Sequence, residues 1–167
     1  MFIEQGISSN NKFSKYIWGS LLIIFASFVG QLFFVLALGY DTSISGKSYP
    51  TTDDELMRYF DSNVTLFLIL VSFVFIMLSI ILVVRYLHNQ TMLSVTTSRN
   101  KVDWNRILFS FLLWSAFTII STVLSYYYNP SDFVWNFKPI PFAILVVIGI
   151  LFIPIQTSSE EYIFRGY

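Results

Sequence analysis

The sequence predicts an all-α fold, a bundle of membrane-spanning helices, and three observations support this prediction. Of the 167 residues, 55% are hydrophobic and only 12% are charged, whereas a soluble domain carries about 25% charged residues. Four stretches are apolar over about the 20 residues that a helix needs to cross a bilayer. The charged residues lie between these stretches and change sign from one connection to the next. We therefore expect a polytopic integral membrane protein.

The first predicted span covers residues 16–39, and only the polar residue Gln31 interrupts it. Its apolar run is much longer than the roughly 7–15 residues of a signal-peptide core, and fifteen residues precede it. We therefore interpret it as a true membrane span rather than as a cleaved signal.

The other three predicted spans cover residues 64–84, 107–128 and 139–157. The second is an uncharged stretch that ends before Arg85, and the third ends in three consecutive tyrosines, which suit the membrane interface. A turn sequence, Asn-Pro-Ser-Asp at residues 129–132, separates the third span from the fourth.

The charges of the connections predict the orientation. Lys12 and Lys15 precede the first span; the first loop has five acidic and two basic residues, and the second has four basic and one acidic. Because an excess of Lys and Arg marks the cytoplasmic side, the N-terminus is predicted to be cytoplasmic. We expect a cytoplasmic leader at residues 1–15 and one membrane domain at residues 16–167, since no linker or repeat divides the chain.

A charged motif, Glu160-Glu161-x-x-x-Arg165, follows the fourth span directly. Pro154 lies inside that span and predicts a kink or a break in the helix. Thr157 and Ser158 each precede a glutamate by three residues, which is the spacing of a capping box. We therefore expect either a kinked helix or a new helical turn that opens at Ser158, with both glutamates in a first turn.

Helical spacing assigns the two carboxylates different roles. Glu161 and Arg165 are four residues apart and share a face, so they are predicted to form an ion pair. Glu160 points about 100° away and lies beside Phe164, which makes it the candidate general base. The alternative interpretation is a solvated helix end with an ordinary surface ion pair.

The motif and its surroundings resemble the EExxxR motif of the CPBP family of intramembrane endopeptidases, which includes the CAAX prenyl endopeptidases and the Abi proteins. The resemblance rests on the EExxxR motif, on the FRGY ending at residues 164–167 and on Pro154 in the preceding apolar helix. The stretch at residues 129–137 is also similar to bacterial members. The resemblance implies a protease of the bacterial plasma membrane that hydrolyses peptide bonds of prenylated or other membrane-associated substrates. It also implies that Glu160 activates water and that Glu161 and Arg165 orient Glu160.

The sequence departs from the family in one large respect. The FxxxH and HxxxN/D motifs are absent, and the only histidine, His88, has no Phe four residues before it. The 167 residues are therefore expected to be the N-terminal part of a protease domain, inactive alone. Family members have been described both as metal-dependent and as metal-free; without HExxH, cysteine or a second histidine, we predict no metal and no other cofactor. The net charge is zero, so the sequence has no excess of basic residues that would attract nucleic acid.

Two other functions stay open from the sequence. One is a non-enzymatic membrane protein, such as a bacteriocin-immunity or interaction protein, and the other is a fragment of a transporter with a broken fourth span. A polar stripe in the third span also has two interpretations, the wall of a hydrated cavity leading to Glu160 or a surface for helix packing. Its members are Ser110, Ser115, Thr118, Ser121 and Thr122.

Overall fold

The computed structural model of the protein describes residues 12–166, and all of its regular elements in that range are helical. Most of the predicted leader lies outside the described residues. The elements in chain order are α1 (Phe13–Ser45), α2 (Asp53–Arg58), α3 (Ser62–Leu82), α4 (Met92–Thr96), α5 (Trp104–Tyr128) and α6 (Pro139–Glu161). Two π-helical turns extend α3 and α6, at Val83–Leu87 and Tyr162–Gly166, and a short 3-10 turn, Pro130–Asp132, follows α5.

The predicted all-α membrane fold is confirmed. Four helical segments are long and apolar enough to cross a membrane: Phe13–Ser45, Ser62–Leu87, Trp104–Tyr128 and Pro139–Arg165. Each contains the corresponding predicted span, and each extends beyond it at one end or both.

Side chains of the connecting segments fix where several helices begin. The Asp61 carboxylate accepts a hydrogen bond from the Asn63 backbone N–H at 3.0 Å and caps α3. The Asp103 carboxylate caps α5 in the same way, through the Arg106 N–H at 3.3 Å. These caps satisfy backbone donors that have no partner inside the helix.

Helix α3 is the centre of the bundle, because α1 packs on one side of it and α6 on another. Gly30 of α1 lies directly against Ser72 of α3, which brings the two backbones close together. Phe67 of α3 meets Phe152 of α6 edge to face, with ring centroids 5.4 Å apart. The core cluster lies at the other end of α3, where Ile23 meets Ile76, Ile80, Val83 and Val84.

Helix α5 is exposed along nearly its whole length, and Ser115 is its one partly buried residue. None of its residues is buried, and the hydroxyls of Thr118 and Thr122 donate to carbonyls of the same helix, those of Trp114 and Thr118. In the part of the chain that the structure describes, no residue of the polar stripe is buried against another helix, and none of them lines the groove at the end of α6.

Candidate functional site

The fourth span is one continuous helix, so the predicted new helical turn at Ser158 is wrong. Helix α6 runs from Pro139 to Glu161 with Pro154 inside it. The Thr157 hydroxyl donates to the carbonyls of Ile153 and Pro154, at 3.0 and 3.3 Å, instead of capping a new helix. A proline is tolerated inside a membrane helix because nearby hydroxyls and local adjustments satisfy the freed backbone groups. The two glutamates therefore lie in the last turn of α6, where the helix dipole does not favour their charge.

Ser159 fixes the rotation of α6 against α3. It is fully buried, and its hydroxyl donates to the Ile155 carbonyl at 2.7 Å and reaches the Phe73 carbonyl of α3 at 3.4 Å. A side chain this small lets two helix backbones approach closely in a membrane. Because Ser159 faces α3, the two residues that follow it are turned away from this contact.

The predicted ion pair between Glu161 and Arg165 is present. The Arg165 Nε lies 3.2 Å from the Glu161 Oε2, and the two side chains are 79% and 58% exposed. An ion pair as exposed as this one contributes at most about 1 kcal/mol. Its importance here is geometric, because it links the last turn of α6 to the π-helical turn that follows.

Glu161 and Arg165 line an open groove of about 430 Å³ between the end of α6 and helix α4. Across this groove, the hydroxyls of Tyr162 and Thr96 are 2.7 Å apart and form a hydrogen bond. Tyr162 also packs, with Ile163, against the core cluster at the end of α3. The hydrogen bond and this packing fix the π-helical turn after α6 against α4 and against the end of α3. The other lining residues of the groove are Val95, Thr157 and Ser158.

Glu160 lies outside this groove, on an exposed part of α6. Its Oε1 accepts a hydrogen bond from the Gln156 Nε2 at 3.4 Å. The apolar side chains one and two turns away on the same face, Phe164 and Ile153, are 83% and 46% exposed. The structure therefore separates the two carboxylates, as the helical spacing predicted, and adds a polar neighbour to Glu160.

Sequence reasoning missed two residues of this site, Gln156 and Ser159. The spacing of four between Gln156 and Glu160 is a signal that could have identified the first. No local signal marks Ser159 as buried, because it is one of two adjacent serines before the motif.

His88 lies apart from the motif, against α1. It is 6% exposed, and its ring packs on that of Tyr16 with centroids 4.6 Å apart. Burial lowers the pKa of His88, and the nearby charge of Lys15 lowers it further. His88 is not among the residues that line the groove. In the described part of the chain, no three His, Cys, Asp or Glu side chains come together in a way that could hold a metal ion.

Comparison with known proteins gives one relative of unknown function. The chain is similar to the uncharacterized protein YyaK of Bacillus subtilis strain 168, with 25% identity over 162 residues. The alignment covers 96% of this chain and 54% of YyaK, so the chain spans about half the length of that relative. No family model and no solved structure matches the sequence.

Proposed function

We propose that this chain carries the general base of an intramembrane endopeptidase similar to the CPBP proteases. Glu160 takes a proton from a water molecule, and the water oxygen attacks the carbonyl carbon of a peptide bond in a membrane-associated protein. The C–N bond then breaks, and Glu160 passes the proton to the leaving amine. The proposal includes a location in the bacterial plasma membrane, which the resemblance implies, and a cytoplasmic N-terminus, which the charges of the loops favour.

The position of Glu160 is the observation that carries this proposal. It is an exposed carboxylate at the end of a membrane-spanning helix, with exposed apolar residues on the same face. Glu160 falls within the candidate span Pro139–Arg165, and an ionisable residue within a membrane span is by default a candidate for function. Glu161 does not meet this description, because Arg165 already pairs with it.

The proposal gives Glu161 and Arg165 a supporting role. Their ion pair joins α6 to the π-helical turn, and Tyr162 in that turn is anchored on Thr96 and on the core cluster. Turns of this kind are frequent at functional sites, where they displace a side chain from its regular helical direction. The pair thereby helps to hold the end of α6, and with it Glu160, in one orientation.

The mechanism also requires groups that stabilise the oxyanion, which the resemblance assigns to histidines on further spans. His88 does not supply one, because it packs against Tyr16 on α1. The proposal therefore places these histidines outside the 167 residues. The exposed side of α6 around Glu160 offers such spans a surface to pack against.

The test compares wild-type protein and Glu160→Gln, both expressed from the complete gene, by mapping the N-termini of cellular membrane proteins. Cleavage products present with the wild type are expected to fall by about 100-fold or more in Glu160→Gln, since a general base contributes 10²–10⁴-fold. Glu55→Gln, the same isosteric change in the first loop, is the matched control and keeps full cleavage.

Two results would contradict the proposal. Equal cleavage by Glu160→Gln would exclude Glu160 as the base. If the wild type gives no cleavage products beyond those of cells that lack the gene, the protein is not a protease. A bacteriocin-immunity or interaction protein, or a fragment of a transporter, would then be the better explanation.

A further inference from the structure

Gln156 and Glu160 form a polar pair in the last turns of α6, where the apolar run of the helix gives way to the polar residues 156–161. The two residues are one helical turn apart, and the Gln156 Nε2 is 3.4 Å from the Glu160 Oε1. Gln156 is partly buried and lies nearer to the apolar run of α6, whereas Glu160 is exposed. In the described part of the chain, no other side-chain hydrogen bond reaches the Glu160 carboxylate.

An amide and a guanidinium act differently on a carboxylate. A guanidinium stabilises the ionised form through its charge and can occupy both oxygens. A glutamine amide is neutral, and here it occupies only Oε1. The Glu160 carboxylate is therefore oriented while Oε2 keeps its lone pairs for a water molecule.

We propose that Gln156 is a positioning residue for Glu160. The inference rests on the proposed function, because it assumes that Glu160 is the base. General-base catalysis requires the base to lie within hydrogen-bond reach of the proton that it removes. An exposed glutamate has three rotatable side-chain bonds, so a partly buried hydrogen-bond partner one turn away limits the orientations that it samples. Gln156 is the only side chain that does this among the described residues.

The first experiment measures the hydrogen bond without using activity. The protein, expressed from its complete gene and labelled at glutamine side chains, is reconstituted in lipid nanodiscs for NMR. The amide signal of Gln156, assigned through its loss in Gln156→Met, is expected to shift in Glu160→Ala. It is expected to stay unchanged in Glu55→Ala, the matched control in the first loop. A signal that does not respond to Glu160→Ala would overturn the proposal.

The second experiment measures turnover of a membrane-inserted peptide that carries the cleavage site mapped with the wild type. Gln156→Met keeps the length of the side chain but removes the donor, and it is expected to lower kcat about tenfold with KM unchanged. This magnitude corresponds to the loss of one hydrogen bond to a charged group. Gln31→Met makes the same substitution in α1 and should leave kcat and KM unchanged.

The outcomes separate this inference from the proposed function. An unchanged kcat in Gln156→Met, together with lost cleavage in Glu160→Gln, would overturn the role of Gln156 and leave Glu160 as the base. A change in KM alone, or a lower amount of folded protein with normal kcat, would also overturn it. If Glu160→Gln cleaves normally, the proposed function itself fails, whatever Gln156→Met does.

Discussion

The close contact between α1 and α3 gives the sharpest stability prediction. A Cβ atom added at Gly30 would lie 2.6 Å from the Cα of Ser72 and 2.9 Å from its carbonyl oxygen. Both are backbone atoms, so no side-chain rotation relieves the overlap. Gly30→Ala therefore forces the two helices apart.

The size of the effect follows from these distances. Ordinary van der Waals contact begins at 3.4 Å, so the contact at 2.6 Å must open by about 0.8 Å. Overpacking of this kind costs about 1–3 kcal/mol in the free energy of unfolding. The separation would also loosen the contacts of Ile23 of α1 with Ile76 and Ile80 of α3.

Gly39→Ala is the matched control, because it places the same methyl group on the same helix with no atom within 4 Å. Removing a helical glycine there is expected to leave stability unchanged or to raise it by up to about 1 kcal/mol. The assay is reversible unfolding in mixed micelles with increasing dodecyl sulfate, followed by circular dichroism. Equal stabilities for Gly30→Ala and Gly39→Ala would refute the close packing of α1 on α3.

Two further predictions concern buried polar groups. Burial lowers the pKa of His88 in the folded protein, and the charge of Lys15 lowers it further. As the pH falls, the unfolded chain therefore binds a proton at His88 before the folded protein does. The free energy of unfolding is expected to decrease as the pH drops below about 6.5. His88→Gln should flatten this dependence in thermal unfolding measured from neutral pH to about pH 5, and an unchanged slope would refute it. The hydroxyl of Thr65 is buried without a hydrogen-bond partner in the described part of the chain, so Thr65→Val is expected to raise the free energy of unfolding by about 1 kcal/mol. A loss of stability in Thr65→Val would show that the hydroxyl is bonded.

The membrane spans were predictable because the bilayer imposes the same demand on every crossing segment. Each must be long and apolar and must satisfy its backbone hydrogen bonds within one helix. The predicted span at residues 139–157 therefore falls inside the observed segment Pro139–Arg165. The limits of the spans were less predictable, since polar residues beyond the apolar run continue the helix. Ser43 and Ser45 do so at the end of α1, by donating to carbonyls one turn earlier.

Of the two alternatives predicted for the end of the fourth span, the new helical turn at Ser158 is wrong, because it was inferred from local signals alone. The spacing of Thr157 and Ser158 before the glutamates is that of a capping box. In the structure the Thr157 hydroxyl bonds backward to Ile153 and Pro154, and the buried Ser159 ties the same segment to Phe73 of α3. Together these contacts keep α6 continuous. A capping rule considers only residues that are close in sequence, so it cannot predict a tertiary contact such as that of Ser159 with α3.

The sequence by itself determined the number of spans and the pairing of Glu161 with Arg165, because hydropathy and a spacing of four are local properties. Only the tertiary structure decided which face of α6 packs on α3, and this placed Ser159 inside and Glu160 outside. The physical reason lies in the membrane. Lipid tails are as apolar as the interior of the bundle, so hydropathy does not distinguish the packed face of a spanning helix from its lipid-facing side. Close packing of small residues makes that choice, and here it leaves Glu160 exposed beside Gln156.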